Sequence, residues 1–262
     1  LVGKHQFASI AITGASSGIG AALARCYAAP GVMLGLWGRD PARLAAVADR
    51  ARNAGAVVQA QSVDLRDRDA LTASLTEFDA RTPIDLLIAN AGVLDGRRAD
   101  GSIEDADAAR RVIEINLLGA LDTLHAVLAP MRQRNRGQIA LVSSLAALSP
   151  VSDAPAYSAS KAGLLAYGLA LRAALVDTKL GVSVICPGYV TSAMTDSHIG
   201  KQPGKISAEA AARLIAAGIA QNRAVIGFPR SLFWLAKISP FIPEAINRLA
   251  TSGIRFHVRP PT

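Results

Sequence analysis

The chain has 262 residues, 51% of them hydrophobic, and a formal net charge of +8; that length suits one α/β unit with an ample core. Its 22 glycines and 13 prolines are too few for a collagen-like or low-complexity chain. The two cysteines, Cys26 and Cys186, sit far apart in apolar segments, so they read as buried small hydrophobes rather than a disulfide framework, and neither lies near a His/Asp/Glu cluster of metal-binding kind.

Taken from the N-terminus, residues 1–20 read as a strand and turn rather than a signal peptide, and no apolar run reaches the roughly 18–20 residues of a membrane span. The expectation is a cytoplasmic protein; a first residue Leu1 rather than methionine leaves room for residues upstream. Short apolar runs predict strands at 8–13, 32–37, 56–63, 85–90, 138–143 and 182–187, with a shorter seventh at 224–228. Amphipathic segments between them predict helices at 18–29, 41–54, 67–80, 104–134, 156–178 and 207–222. In the second of these Leu44, Val47 and Ala48 share a face, and Gly55 is placed to cap its end. Such alternation builds an α/β fold: a doubly wound parallel sheet of about seven strands with helices on both faces, in a single domain. Residues 1–228 form that unit, and 229–262 read as an extension which Pro229, Pro240 and Pro243 break into short helices.

The tail concentrates the charge. Residues 223–262 hold Arg223, Arg230, Lys237, Arg248, Arg255 and Arg259 against the lone Glu244, interleaved with Phe228, Phe233, Trp234, Leu235, Ile238 and Phe241. This mixture argues against nucleic acid as the partner. It fits a membrane surface, a subunit contact or a lid over an apolar substrate, and equally a solvated basic face beside ordinary core residues.

The first predicted strand runs into Thr13-Gly14-Ala15-Ser16-Ser17-Gly18-Ile19-Gly20 and then a helix. Gly14 permits a tight turn, Gly18 lets backbone approach a pyrophosphate, and Gly20 lets helix and strand pack closely. Backbone N–H groups and the positive helix end then meet the phosphates. The second strand ends Trp37-Gly38-Arg39-Asp40. Gly38 stands where an acid would hold the ribose hydroxyls of NAD, and the Arg39 guanidinium suits the 2′-phosphate of NADP. Asp40 keeps NAD open as the alternative, although it also fits the N-cap of the helix that begins at Pro41.

Together with Asn90-Ala91-Gly92, Asn116, Ser144, Tyr157-x-x-x-Lys161 and Pro187-Gly188, the glycine loop resembles the short-chain dehydrogenase/reductase family over residues 6–228. The resemblance implies a Rossmann-type fold and NAD(P)-dependent hydride transfer between a ketone and a secondary alcohol. It implies Tyr157 as general acid or base, Lys161 as the charge that favours phenolate and holds the nicotinamide ribose, Ser144 as a hydrogen-bond partner of the substrate oxygen, and Asn116 as the holder of a water leading to Lys161. Asp64 would meet the adenine and Thr191 and Ser192 the carboxamide, with Ser192 where the family usually has threonine, and Leu65 and Val190 would be further cofactor contacts. Ala89 replaces the first Asn of the Asn-Asn-Ala-Gly motif. A homodimer or homotetramer is implied through the helices holding Asn116 and Tyr157. The substrate wall would come from 149–156, Leu94 and the loop 193–207, which Gly200, Pro203 and Gly204 mark as a mobile lid. His198 within it reads as a solvent-exposed loop residue, while His5, His125 and His257 suggest no catalytic pairing. A protein that keeps the fold without the chemistry is the other class of reading, and retention of Tyr157 and Lys161 weighs against it.

Overall fold

Runs as apolar as SIAIT and LLIA tolerate solvent on neither side, and the chain buries them in one parallel sheet. The computed structural model describes residues 7–196, 198–243 and 256–258. The sheet comprises β1 (Ser9–Thr13), β2 (Met33–Gly38), β3 (Val57–Ser62), β4 (Leu86–Ala89), β5 (Gly137–Val142), β6 (Leu180–Pro187) and β8 (Val225–Phe228); β7 (His198–Gly200) lies outside it. The order is β3-β2-β1-β4-β5-β6-β8, and every neighbouring pair is parallel. Strand order reverses at β1, between β2 and β4, which opens a crevice at the carboxyl ends of β1 and β4.

Alternation along each strand divides the core. Ile10 and Ile12 point to the face covered by α1 (Gly18–Tyr27), α2 (Pro41–Asn53) and α8 (Ala208–Ala220). Ala11 points to the other face, under α3 (Arg68–Arg81), α5 (Gly119–Arg134) and α6 (Pro155–Ala174). There the Trp37 indole donates to Ser74 Oγ at 2.9 Å and meets Phe78 edge-on at 5.5 Å. The ring lies over Gly35, where a Cβ would come within 2.6 Å of it. Gly55 has φ +95° in the turn that closes α2, as its predicted capping place requires.

Several boundaries differ from the sequence expectation. The helix expected over 104–134 is α4 (Ala106–Ile113), a π turn (Glu114–Leu118) and α5 in continuous sequence. By length and composition alone this run could cross a membrane, contrary to the expectation that no segment would; it buries Val112, Asn116, Leu124, Val127 and Met131 inside the fold. The helix expected to reach 178 stops at Ala174, where Leu175–Thr178 turn. The expected lid loop contains a one-turn helix, α7 (Ala193–Asp196), as well as β7, which pairs antiparallel with β9 (Phe256–Val258). Cys186 is buried as expected, whereas Cys26 is exposed, because the buried stripe of α1 stops at Ala24. Beyond β8 lie α9 (Arg230–Ile238) and a 3₁₀ turn, Ser239–Phe241. His5, Glu244, Arg248, Arg255 and Arg259 lie outside the described residues.

Candidate active site

The crevice at the switch point brings the glycine loop together with the turn after β4. Gly14 adopts φ +66°, and a Cβ there would come within 2.6 Å of Ala91 Cα. A Cβ on Gly20 would come within 2.2 Å of the Gly14 carbonyl oxygen, so only glycine lets α1 sit this close to the loop. Asn90 Nδ2 donates to the carbonyls of Thr13 and Gly14 at 3.0 and 3.1 Å, tying Asn90-Ala91-Gly92 to the loop. Ala89 is buried within β4, where its side chain adds to the core.

The Ser17 side chain makes no capping bond at the start of α1, so the first-turn N–H groups have no side-chain partner there. The loop opens onto a cavity of about 390 Å³ whose lining includes Ser16, Ser17, Gly18, Thr191, the arginines Arg25, Arg43 and Arg50, and Glu209, which pairs with Arg25. Hydroxyls, helix N–H groups and guanidiniums around one space fit a dinucleotide's phosphates. Ser192 packs over Gly18, where an added Cβ would lie 3.0 Å from its own. Ile19 is partly buried in the core, and Val190 is buried and bridges to Ile206. Pro187 ends β6, and the Gly188 N–H donates to Phe228 O at 2.7 Å.

Gly38 packs against Ser16, and Arg39 beside it is exposed. Asp40 is the N-cap of α2: Oδ1 accepts the Arg43 N–H at 3.0 Å and Oδ2 lies 3.1 Å from the Arg43 guanidinium. Its carboxylate is therefore committed to the helix. Asp64 accepts from Arg66 through both oxygens, and that bond, with a weaker pull from Arg39, holds its carboxyl below the usual range. Leu65 is buried.

The four predicted catalytic residues converge at the ends of β4 and β5. Ser144 follows β5 and caps the 3₁₀ turn Leu145–Ala147 by accepting the Ala146 N–H at 3.1 Å. Its hydroxyl also lies near enough to Tyr157, on the first turn of α6, to pull that phenol toward ionisation. Lys161, one turn further along α6, is 3% exposed; its Nζ donates to Val142 O at 2.9 Å and lies 5.8 Å from the Tyr157 ring centroid. Burial pulls the ammonium down to about 8. Burial also raises the Tyr157 phenol above its ordinary value, against a downward pull from Ser144. Desolvation is the larger effect, and the phenol stays protonated at neutral pH.

Asn116 sits in the π turn, a local departure that recurs at functional sites. Its Oδ1 accepts the Val93 N–H at 2.7 Å, while Nδ2 donates to Val93 O at 2.9 Å and Ser160 Oγ at 3.2 Å. Both amide hydrogens are therefore engaged, and a water at the expected place would meet Oδ1 or the main chain. A Cβ on Gly92 would lie 3.2 Å from Asn116 Oδ1 and 3.3 Å from Lys161 Nζ, which places the three side by side.

Around Tyr157 pack Leu94, Val151 and Ala154 with Phe256 and Val258 of β9, an apolar wall. β9 is held there by Asp153, which is 1% exposed: Oδ2 accepts the Phe256 N–H at 3.0 Å and Oδ1 the Arg97 Nε at 2.7 Å. His198 is 5% exposed, not the solvent-exposed loop residue expected. It stacks on Phe256 at 3.9 Å and meets the edge of Tyr189 at 5.0 Å, because β7 pairs with β9. Its burial lowers the imidazole's affinity for a proton. His125 Nε2 lies 2.8 Å from Tyr167 Oη, a contact between α5 and α6 ten residues beyond Tyr157 along α6.

Two further positions escaped the sequence reading. Glu104 Oε1 accepts the Ala156 N–H at 2.7 Å, placing a carboxyl group at the N-terminus of the helix that carries Tyr157 and Lys161. Their separation of 52 residues left no local signal. Arg43 on α2 reaches the phosphate-loop cavity; its place three residues after Asp40 was the available clue.

Residues 8–203 match the family described as short chain dehydrogenase. An uncharacterized oxidoreductase of Myxococcus xanthus is 34% identical over 253 residues, covering 96% of this chain and 99% of that protein. A short-chain dehydrogenase from Sphingobium yanoikuyae, solved in complex with NADPH, superposes with a TM-score of 0.76 at 26% identity, covering 94% and 96% of the two chains. A second, from Burkholderia phymatum in complex with NAD, gives 0.80 at 23% identity with 97% of each chain covered, a likeness of fold.

Proposed function

Because the chain belongs to the short-chain dehydrogenase family and is an NAD(P)-dependent oxidoreductase, we propose that it uses NADP(H) to interconvert an apolar ketone and its secondary alcohol. The observation that carries this reading is the Ser144–Tyr157–Lys161 cluster set against an apolar wall at the end of the nucleotide crevice. The bound dinucleotide supplies or accepts the hydride. Gly14, Ser16, Ser17, Gly18, Ile19 and Gly20 hold its phosphates, Asp64 and Leu65 its adenine, and Val190, Thr191 and Ser192 its carboxamide end.

In the reducing direction Ser144 donates a hydrogen bond to the carbonyl oxygen, and Tyr157 Oη delivers a proton to it as charge develops. The phenol kept protonated by burial is poised for that direction. Lys161, whose ammonium lies beside the ring, stabilises the phenolate left behind. Asn116 positions Val93 and Ser160 and, through them, the floor beneath Lys161.

The NADP preference rests on Arg39, exposed beside Gly38, and on the arginine-lined cavity. Asp40 is occupied as a helix cap, which disfavours the NAD alternative. An apolar substrate is favoured by Leu94, Val151, Phe256 and Val258 around Tyr157. Self-association as a dimer or tetramer would use α5 and α6, near which Leu118 and Leu169 are exposed. Free cysteines suit a reducing, cytoplasmic setting. The test is NADPH and NADH oxidation against a panel of aliphatic, aromatic and sugar ketones. Turnover faster with NADPH and with the apolar members supports the reading; a preference for sugars or for NADH contradicts it.

A further inference from the structure

We propose that α9 and the 3₁₀ turn after it form a docking face for an anionic membrane surface, beside the mouth of the catalytic site. Trp234, Leu235, Ile238 and Phe241 are 55%, 55%, 51% and 86% exposed. They recur at the three- and four-residue spacing that places side chains on one face of a helix. The opposite face fixes the orientation. Phe233 covers Gly227 so closely that a Cβ there would fall 1.9 Å from its ring, Leu232 lies over Gly204, and Ala236 is buried. The outward apolar side chains therefore follow from tight packing on the inner side rather than from a loosely held helix.

Among the described residues of α9, the turn after it and the loop 198–205, the charges are of one sign. Arg230 and Lys237 are exposed on α9, and Lys237 Nζ lies 5.1 Å from the Trp234 ring centroid. Exposed Lys201 and Lys205 belong to the loop that meets α9 through Gly204 and Leu232. Over α9, the turn after it and the loop 198–205 there are four lysines and arginines and no carboxylate. Aromatic and aliphatic side chains ringed by cations combine the two attractions that hold a peripheral helix on acidic lipid. A second copy docking symmetrically would set these same cations against one another with no carboxylate between them among the described residues of α9, the turn after it and the loop 198–205, so charge complementarity selects the lipid surface.

Position gives the contact a use. α9 packs against the turn that follows Ser144, and Ser239 Oγ lies 3.0 Å from Ser149 Oγ. Docking would hold the substrate mouth at the bilayer, where apolar ketones partition. Docking stands apart from the reaction; the delivery role rests on the ketone reading above.

The experiment is co-sedimentation of the full chain with phosphatidylcholine vesicles, with and without phosphatidylglycerol, at low and high salt. Parent, Arg230→Glu/Lys237→Glu and Trp234→Ala/Phe241→Ala are compared, with light scattering for mass and turnover of a water-soluble ketone as a control of folding. The parent should bind the anionic vesicles at least about ten-fold better than neutral ones, and each double variant should lose about ten-fold of that, with turnover unchanged. Vesicle binding with failed ketone turnover would keep the docking face and remove the reaction reading. No preference for anionic vesicles, or variants that bind as the parent does, would overturn the proposal. So would variants that lower the mass while the parent ignores vesicles, since the face would then belong to a second copy.

Discussion

Replacing Lys161 by methionine should abolish turnover and yet stabilise the fold. The native environment lowers the ammonium from 10.5 to about 8, which at about 1.4 kcal/mol per unit is a penalty of roughly 3 kcal/mol for keeping it charged. Methionine has a similar reach and no charge, but it strands the Val142 carbonyl that Nζ now serves, a loss of about 1 kcal/mol. The net gain at neutral pH is about 2 kcal/mol, or roughly 5 °C in Tm for a chain of this size. The sign with pH is fixed. Below about 8 both folded and unfolded lysine are protonated and the full penalty applies; between about 8 and 10.5 the folded amine is neutral while the unfolded one still binds its proton, so the parent recovers stability as pH rises. The advantage of methionine should therefore be largest near pH 7 and vanish near pH 10. Urea unfolding of the two proteins across that range measures it. A methionine variant less stable than the parent at pH 7, or a gain independent of pH, would refute the claim that burial outweighs pairing at Lys161.

Ketone reduction needs Lys161 charged and Tyr157 protonated; with the phenol raised, kcat/KM should fall as pH rises through about 8, and a profile flat to pH 10 would contradict this. Arg39→Ala should raise KM for NADPH about ten-fold with little change for NADH, read by initial rates with each cofactor; an unchanged cofactor ratio counts against the NADP assignment. Glu104→Ala leaves the Ala156 N–H at the head of α6 without its acceptor, so it should lower stability by about 1–2 kcal/mol in urea unfolding, while a neutral result would show that the cap is not needed.

The sheet and the glycine loop were legible because their signals are local. Ile10, Ile12 and Leu34 mark strands by type and alternation, and Gly14 and Gly20 stand where backbone approaches backbone. The Tyr157–Lys161 spacing likewise needs one helix turn and nothing more. What escaped depends on pairings far apart in the chain. β7 and β9 are three residues each, and neither has a pattern until paired; His198 is buried only through that pairing. Glu104 caps a helix 52 residues on. The π turn at Asn116 lies inside a run whose apolar spacing reads as ordinary helix. Cys26 differs in kind, since an apolar neighbourhood in sequence does not reveal where a helix's contact stripe ends.

The central claim is that Tyr157 Oη moves the proton. Tyr157→Phe keeps the ring that packs with Leu94, Val151 and Phe256 and removes only the hydroxyl, near Ser144. Titration by NADPH fluorescence should give the parent's affinity, while turnover of a reducible ketone should fall by about 10²–10⁴-fold. A phenylalanine variant that binds NADPH and reduces the ketone at the parent's rate would contradict the account.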